Sequence, residues 1–293
     1  MSKQLIKQLV ERKAHQEGMT ETGVKGVELF RVTNPVRCAP AVYEPSVVAI
    51  LSGAKEAILD GKRYVYDSDL YMCCSMSMPV EAGTPTASPD NPLLGVIISL
   101  DTKVMTELSI EMESAVGAIH KPQKGALPPS FALAQWDEEF TKALLRLLQL
   151  EGNMTDSAIL GDGRLRELYY AVLKGAAGES ARRAFGVGNE IARSIDYLSS
   201  RLDEVVTIED MAAQVGMSRA VLHRKFKEAT TLSPIQFVKS MRLNTAAMKI
   251  AGGMNVSVAA MEVGYASSSQ FSREFKRMYG QSPKQWSQSK KLT

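Results

Sequence analysis

Two arginines stand at equivalent places in a stretch that occurs twice. Arg224 lies between Leu222 and Phe226, and Arg273 lies between Phe271 and Phe275. Lys227 and Lys276 follow at the same spacing. A guanidinium can grip O6 and N7 of one guanine with two hydrogen bonds, whereas an ammonium is a point charge suited to phosphate. A residue two beyond an apolar side chain lies about 200° around a helix, so each arginine points away from the face that Leu222 or Phe271 buries. Chemistry of other kinds is thin. A metal-bearing β-barrel or a hydrolytic triad needs well-placed histidine. The chain has His15, His120 and His223, and its β-rich region has none. No glycine-rich phosphate loop occurs. The expectation is no catalytic residue, no metal and no cofactor.

The elements that must hold these arginines are two copies of one unit. Ala212, Val215 and Gly216 recur 48 residues later as Ala260, Val263 and Gly264, with Met217 replaced by Tyr265. After a one-residue insertion, Leu222, Arg224, Phe226, Lys227, Ser233 and Pro234 recur 49 residues later as Phe271, Arg273, Phe275, Lys276, Ser282 and Pro283. Each copy reads as helix, glycine turn, helix. Thr207 with Asp210, and Ser267 with Gln270, have the spacing of helix N-caps and capping boxes. Gly216 suits a left-handed residue ending the first helix. Ala212 and Ala260 are small where two helices approach closely. Such a unit is a helix-turn-helix, whose second helix enters the major groove. Ser233-Pro234 starts a helix to about Ile250 that joins the two copies.

Residues from about Ile191 to Trp286 resemble the DNA-binding domain of the AraC/XylS transcription regulators. The motifs are Ile208-Glu-Asp-Met-Ala-Ala-Gln-Val-Gly-Met-Ser218, Phe226-Lys227, Ser233-Pro234 and Arg242-Leu243, then Val263-Gly-Tyr265, Gln270-Phe271-Ser-Arg-Glu-Phe-Lys276 and Gly280-Gln-Ser-Pro283. A tyrosine stands at Tyr265 where the family often has phenylalanine. The resemblance implies base-reading candidates Arg219, Ala220, His223 and Arg224 in the first recognition helix. In the second it implies Ser268, Ser269, Ser272 and Arg273. Arginine reads guanine, Ala220 can only touch a thymine methyl, and a phosphate contact is open to each of these residues. Lys225, Lys227, Lys276 and Arg277 are expected to face phosphates or water. Thr207 and Ser282 offer helix N-termini to phosphate.

Length and composition fit this reading. At 293 residues, 45% hydrophobic and 23% charged, the chain is expected to form two globular domains. From Glu190 onward 15 basic residues face 9 acidic ones, a net +6, and the remainder is −3. A basic C-terminal domain suits a polyanion. Residues 2–17, with Leu5, Ile6, Leu9 and Val10 on one face, read as an amphipathic helix rather than a signal peptide. Cys38, Cys73 and Cys74 are too few and too badly spaced for a disulfide framework, which points to a reducing, cytoplasmic location.

The N-terminal half reads as short strands followed by helices. Val27–Val32, Tyr43–Gly53, Leu70–Met76 and Leu93–Leu100 are expected strands. Lys55–Leu59 and Lys62–Asp67 form a hairpin around Asp60-Gly61. Pro79–Pro92 reads as a loop. This pattern suggests a jelly roll or cupin-like barrel. Tyr43-Glu-Pro-Ser46 and Gly61-Lys-Arg-Tyr-Val-Tyr66 resemble the arm and sensor domain of one AraC-type subfamily. Helices are expected over Thr102–Gly117 and Asp137–Leu150. Gly161–Gly163 is read as a break before Leu165–Leu173. Lys121–Ser130 and Gly175–Gly188 are read as linkers. The leucine stripe of Asp137–Leu150 either packs on the barrel or forms a dimer face.

The expected fold is therefore α+β. Residues 1–180 form a cupin-like effector-binding and dimerisation domain, and residues 190–293 an all-α double helix-turn-helix domain. The expected function is a transcription regulator binding double-stranded DNA, a small-molecule effector and a second copy of itself, with RNA polymerase as a further partner. Cys73, Cys74, Tyr43 and Ile50 are the candidate effector residues. Cys73 and Cys74 are adjacent in a strand and must point to opposite faces. Each is either a small buried hydrophobe or, if its pKa is lowered, a reactive thiol. The alternative is a ligand-independent regulator whose barrel serves only dimerisation or partner binding. A cupin-type enzyme fused to a DNA reader is a third reading.

Overall fold

The computed structural model describes residues 2–116, 130–186, 190–204 and 206–289. The chain divides into two compact units: Met1–Cys38, Glu44–Met76 and Ala82–Asn189 form the first, and Ala39–Tyr43, Ser77–Glu81 and Glu190–Thr293 the second. The long C-terminal segment of the second unit begins at Glu190. The two short strand segments grouped with the second unit carry no sequence signal of that membership.

Among the described residues the β-rich part has ten strands. They are β1 (Gly18–Glu21), β2 (Val27–Val32), β3 (Val36–Tyr43), β4 (Ser46–Ser52), β5 (Ala54–Leu59), β6 (Lys62–Asp67), β7 (Leu70–Cys74), β8 (Met78–Thr84), β9 (Leu93–Ser99) and β10 (Phe131–Gln135). One sheet has the order β1-β2-β9-β4-β7-β10 and the other β3-β8-β5-β6. β4 is central, between β9 and β7, and Val47 to Leu51 are all buried. That is why it reads as a continuous apolar run rather than an alternating one. The β5–β6 hairpin turns through Asp60 (φ 48°) and Gly61 (φ 72°), the paired positive φ of a type I′ turn. β9 pairs antiparallel with β4, and at Gly95, opposite Ile50, a Cβ would lie 2.6 Å from the Ala49 carbonyl.

Several expected boundaries are corrected. Part of the Pro79–Pro92 stretch is strand β8. A Cβ on Gly83 would lie 2.6 Å from the Cys38 nitrogen, so glycine there permits close strand approach. Helix α1 (Ser2–Lys13) buries Ile6 and Val10 but leaves Leu5 and Leu9 nearer the surface. Helix α2 (Thr102–Val116) is as expected. The Lys121–Ser130 linker lies almost wholly outside the described residues. Helix α3 (Glu138–Leu148) is capped by Asp137, whose side chain accepts from the Phe140 amide at 2.7 Å. Its stripe of Phe140, Leu144, Leu147 and Leu148 is buried within the first unit. Helix α4 (Met154–Lys174) runs unbroken through Gly161 and Gly163. Gly161 packs close to Val24, where an added Cβ would sit 3.4 Å away. Tertiary contact thus overrides a weak propensity penalty. The Gly175–Gly188 stretch contains helix α5 (Gly178–Phe185), whose Ala181, Ala184 and Phe185 are buried.

The second unit contains α6 (Glu190–Ser199), α7 (Ile208–Gln214), α8 (Arg219–Thr230), α9 (Pro234–Ala251), α10 (Val256–Glu262), α11 (Ser268–Tyr279) and α12 (Pro283–Ser289). α7 with α8, and α10 with α11, are the two expected helix-turn-helix copies. Gly216 (φ 66°) and Gly264 (φ 82°) make the turns. Phe226 stacks edge-on against Phe237 of α9, with ring centroids 5.1 Å apart. Leu243, Ala246, Ala247 and Ile250 of α9 meet Phe271, Phe275 and Trp286 in the second copy. Thr207 and Asp210 form a capping box, as do Ser233 and Gln236. At Ser267 only half the expected box forms: its hydroxyl takes the Gln270 amide, but the Gln270 side chain reaches forward to Glu274.

The copies end differently. Gly280 closes α11 in the left-handed conformation (φ 74°), and its counterpart after α8 is Thr231 at φ 66°. A β-branched residue is strained there. Thr231→Gly is expected to raise the stability of the second unit by about 1 kcal/mol, the relieved strain less the extra unfolded-state entropy of glycine. Urea unfolding of the Trp136→Phe chain, followed by Trp286 fluorescence, checks this; a lower midpoint contradicts it.

Candidate nucleic-acid interface

Leu222 and Phe226 are wholly buried under α8, as are Phe271 and Phe275 under α11. The register of each helix is thereby fixed, and so are the side chains it presents. Arg219, Ala220, His223, Arg224 and Lys227 are all exposed. At 100° per residue they fall within about 140° of the helix circumference. Ser268, Ser269, Ser272, Arg273 and Lys276 occupy the same five relative positions on α11; Ser272 is half-buried and the rest are exposed. The structure therefore gathers each set of candidates onto one stripe. Arg224 and Arg273 lie on the side opposite the buried pair. Ser267 and Ser269 hydroxyls are 2.9 Å apart at the start of α11.

Acidic partners hold several of these cations. Arg219 reaches Glu209 at 2.9 Å, and Arg224 reaches Glu228 at 3.1 Å, both pairs well exposed. Exposed pairs of this kind contribute little to stability. They orient each guanidinium and can be exchanged for a phosphate or a base edge. Glu209 and Glu228 were not singled out from the sequence; the spacing of Glu228, four residues after Arg224, is the signal that marks it. Lys225 is half-buried and pairs with Glu190 of α6 at 3.7 Å, a link between α8 and α6. The N-terminus of α7 is a poor phosphate site. Asp210 occupies it, its carboxyl held below the usual range by hydrogen bonds from the Thr207 side chain and backbone.

Tyr265 has a physical reason to carry its hydroxyl. It donates to Glu274 at 3.0 Å, and Glu274 also meets Lys239 of α9 at 3.1 Å. Burial and the neighbouring Glu274 push the Tyr265 pKa up, so it remains a donor. This network ties the turn of the second copy to α11 and α9.

Two family models match the chain: the AraC-type transcriptional regulator N-terminus over residues 23–180, and a helix-turn-helix domain over residues 211–289. The chain belongs to the AraC-type transcriptional regulators. It is a DNA-binding regulator of that family. It is 26% identical over 141 residues to the raffinose operon regulator RafR of Pediococcus pentosaceus, covering 48% of this chain and 50% of that one. It is 36% identical over 101 residues to MtrA of Neisseria gonorrhoeae, covering 34% of this chain and 32% of that one. The matched part thus spans half or less of these relatives' length. In fold, the chain resembles ToxT of Vibrio cholerae, with a TM-score of 0.56 at 14% identity over 89% of this chain and 97% of ToxT. No helix among the described residues is long and apolar enough to cross a membrane.

The effector candidates of this AraC-type regulator are placed as follows. Ile50 on β4 and Cys73 and Cys74 on β7 are fully buried in the first unit, and Tyr43 ends β3 in a segment of the second. Burial pushes the Cys73 thiol up to about 12 and raises Cys74 as well. Cys74 donates to the Met76 carbonyl at 3.1 Å. Arg63 is turned to Glu56, 3.6 Å away. The thiols therefore lack the lowered pKa that a reactive cysteine needs. Among the described residues no group of three His, Cys, Asp or Glu side chains is placed to hold a metal.

Arg224→Ala is expected to weaken binding to a specific site by about 1–3 kcal/mol and to relax preference at one or two base pairs. Lys227→Ala is expected to weaken all sequences alike and lower the salt slope by about one. Titrations of a site library at several salt concentrations separate the two; equal loss of specific and non-specific affinity in Arg224→Ala would assign that residue to phosphate. Alkylation at pH 8 is expected to reach half-buried Cys38 first and Cys73 and Cys74 only on unfolding. Fast labelling of either β7 thiol in the folded chain contradicts that placement.

Proposed function

We propose that this regulator reads one DNA site with two heads, α8 and α11, and that a small molecule received by its N-terminal unit governs the reading. The observation that carries the first part is the matched five-position stripe on the two helices. The 18-residue α9 joins them and spans about 27 Å. That rigid strut suits successive major-groove faces, about 34 Å apart. Arg224 and Arg273 are the proposed base readers, and Lys227 and Lys276 the phosphate contacts. Selection of duplexes from a random library by the full chain tests the reading. Two base-specific blocks about 10 base pairs apart are expected; a single block would remove the second head.

For the effector, a ToxT structure of 12% identity and TM-score 0.54 is described with a bound unsaturated fatty acid. The first unit of this chain supplies matching chemistry. Lys55 on β5 shares strand parity with buried Ala57 and Leu59, and its ammonium stands 5.9 Å from the Phe30 ring. Burial lowers its pKa to about 8. A cation that loses solvation beside an aromatic ring suits an anionic amphiphile, with Ile50 and one of the two β7 cysteines proposed as apolar lining within the same unit. Oleate is the probe. It is expected to stabilise the wild-type chain by about 2–3 kcal/mol at a hundredfold excess over Kd, and Lys55→Met not at all. No stabilisation of the wild type favours the ligand-independent alternative.

Self-association and a cytoplasmic location belong to the same reading, with RNA polymerase as a further partner. The leucine stripe of α3 is used internally, but α4 leaves Met154 90% and Ile159 72% exposed. Ile159→Glu in the full chain is expected to shift a dimer to monomer in sedimentation. A wild type that is monomeric at high concentration contradicts this face.

A further inference from the structure

The second unit holds a buried carboxamide with an unusual set of partners. Asn244 lies in α9 and is 3% exposed. Its Nδ2 donates to the Ala41 carbonyl at 2.8 Å and to the Val80 carbonyl at 2.9 Å. Its Oδ1 accepts from the Tyr279 hydroxyl at 2.6 Å. Both donors and the acceptor are thus engaged in a rigid planar group. Ala41 and Val80 belong to the strand segments Ala39–Tyr43 and Ser77–Glu81, far away in sequence but part of this unit. Tyr279 is the last residue of α11.

The two reading helices differ here. The counterpart of Tyr279 in the first copy is Thr230. Its hydroxyl donates within its own turn, to the Phe226 carbonyl at 2.9 Å, and approaches the Leu232 carbonyl at 3.1 Å. The end of α8 is therefore closed locally. The end of α11, closed by Gly280, is in addition tied through Asn244 to two strands. The Tyr279 ring is also seated against Phe275 and Trp286, with centroids 4.6 and 5.5 Å away. Ala39 packs on the same apolar cluster. Burial, with the charge of Glu81 nearby, raises the Tyr279 pKa, so its hydroxyl stays protonated and donates.

We propose that Asn244 is a positioning residue for DNA reading: it makes the placement of α11, and so the second head's base preference, depend on the strand segments 39–43 and 77–81. α8 is exempt from that dependence. Coupling of this kind is reciprocal, so DNA seated on α11 steadies the strands and fixed strands sharpen the second head. A regulator so built has one constitutive head and one conditional head. The inference rests on the two-headed reading above, and its test distinguishes the two.

The test uses the full chain and the duplex recovered by selection. Tyr279→Phe keeps the ring and removes the hydroxyl. Asn244→Asp keeps an acceptor for Tyr279 and removes both donors. Affinity is measured for the selected duplex and for versions with either block scrambled. Each variant is expected to lose about tenfold of its discrimination at the second block, with first-block discrimination within about twofold of wild type. Hydrogen exchange of peptides covering 39–43 and 77–81 should slow on DNA binding in the wild type and change little in the variants. Unchanged second-block discrimination in both variants overturns the proposal. Equal loss at both blocks with a lowered melting temperature also overturns it, since that is a merely structural role. A wild type that selects one block only defeats the two-headed reading. The exchange arm then decides alone, and strands indifferent to DNA overturn the proposal.

Discussion

Burial of two aromatic or aliphatic side chains under each reading helix is the constraint on which the rest depends. Leu222 with Phe226, and Phe271 with Phe275, are wholly enclosed. Rotating α8 or α11 would expose an apolar side chain or bury an arginine, and neither is affordable. The outward stripes are thus consequences of the core. The short partners α7 and α10, seven residues each, are too short to be stable alone. They persist because Met211, Ala212, Ala259 and Ala260 pack into that core and because Thr207 and Asn255 cap them. Glycine at 216 and 264 sets the sharp turn between the helices of each copy. At Gly264 a Cβ would meet the Leu202 carbonyl at 2.6 Å, so there the turn is fixed by packing as well as by φ.

The duplicated motif was readable in the sequence because its determinants are local. Caps, glycine turns and apolar spacing lie within a dozen residues of one another, and the 48- and 49-residue offsets repeat them. The β5–β6 hairpin was readable for the same reason, through Asp60-Gly61. Strands β1, β3 and β10 carry no clear local signal. β3 contains Pro40 and β1 has four residues, so neither shows the alternation of a half-buried strand. β8 was hidden by Pro79 and Gly83, yet Gly83 is what lets it approach its neighbour. α5 was hidden by glycine and alanine that serve close packing. A Cβ on Gly178 would lie 2.0 Å from the Leu173 carbonyl. At Gly83 a residue type that argues for a loop in isolation is required by a contact far off in sequence, with Cys38, and at Gly178 by the end of the preceding helix.

The site shows the same division. The positions of Arg219, His223, Arg224 and Arg273 on exposed faces followed from spacing. Their acidic partners did not, apart from the i,i+4 relation of Arg224 and Glu228. Lys225 looked equivalent to its neighbours by composition, but α6 supplies Glu190 to hold it. Asn244 had no sequence signal at all, because its partners are backbone carbonyls 203 and 164 residues away. Electrostatics in this unit therefore sort into two kinds. Arg219–Glu209 and Arg224–Glu228 are exposed, exchangeable pairs on the first reading helix, and the hydrogen bonds of Asn244 are buried behind the second.

Arginines at equivalent places in the two copies are proposed to read bases about one helical turn apart. Methylation interference at guanine N7 on the selected duplex examines this most directly, because an N7 methyl blocks the two-bond grip of a guanidinium. Interference is expected at two groups of guanines about 10 base pairs apart, the first erased by Arg224→Ala and the second by Arg273→Ala. Interference that survives both substitutions unchanged, or that is confined to one group, would contradict this reading.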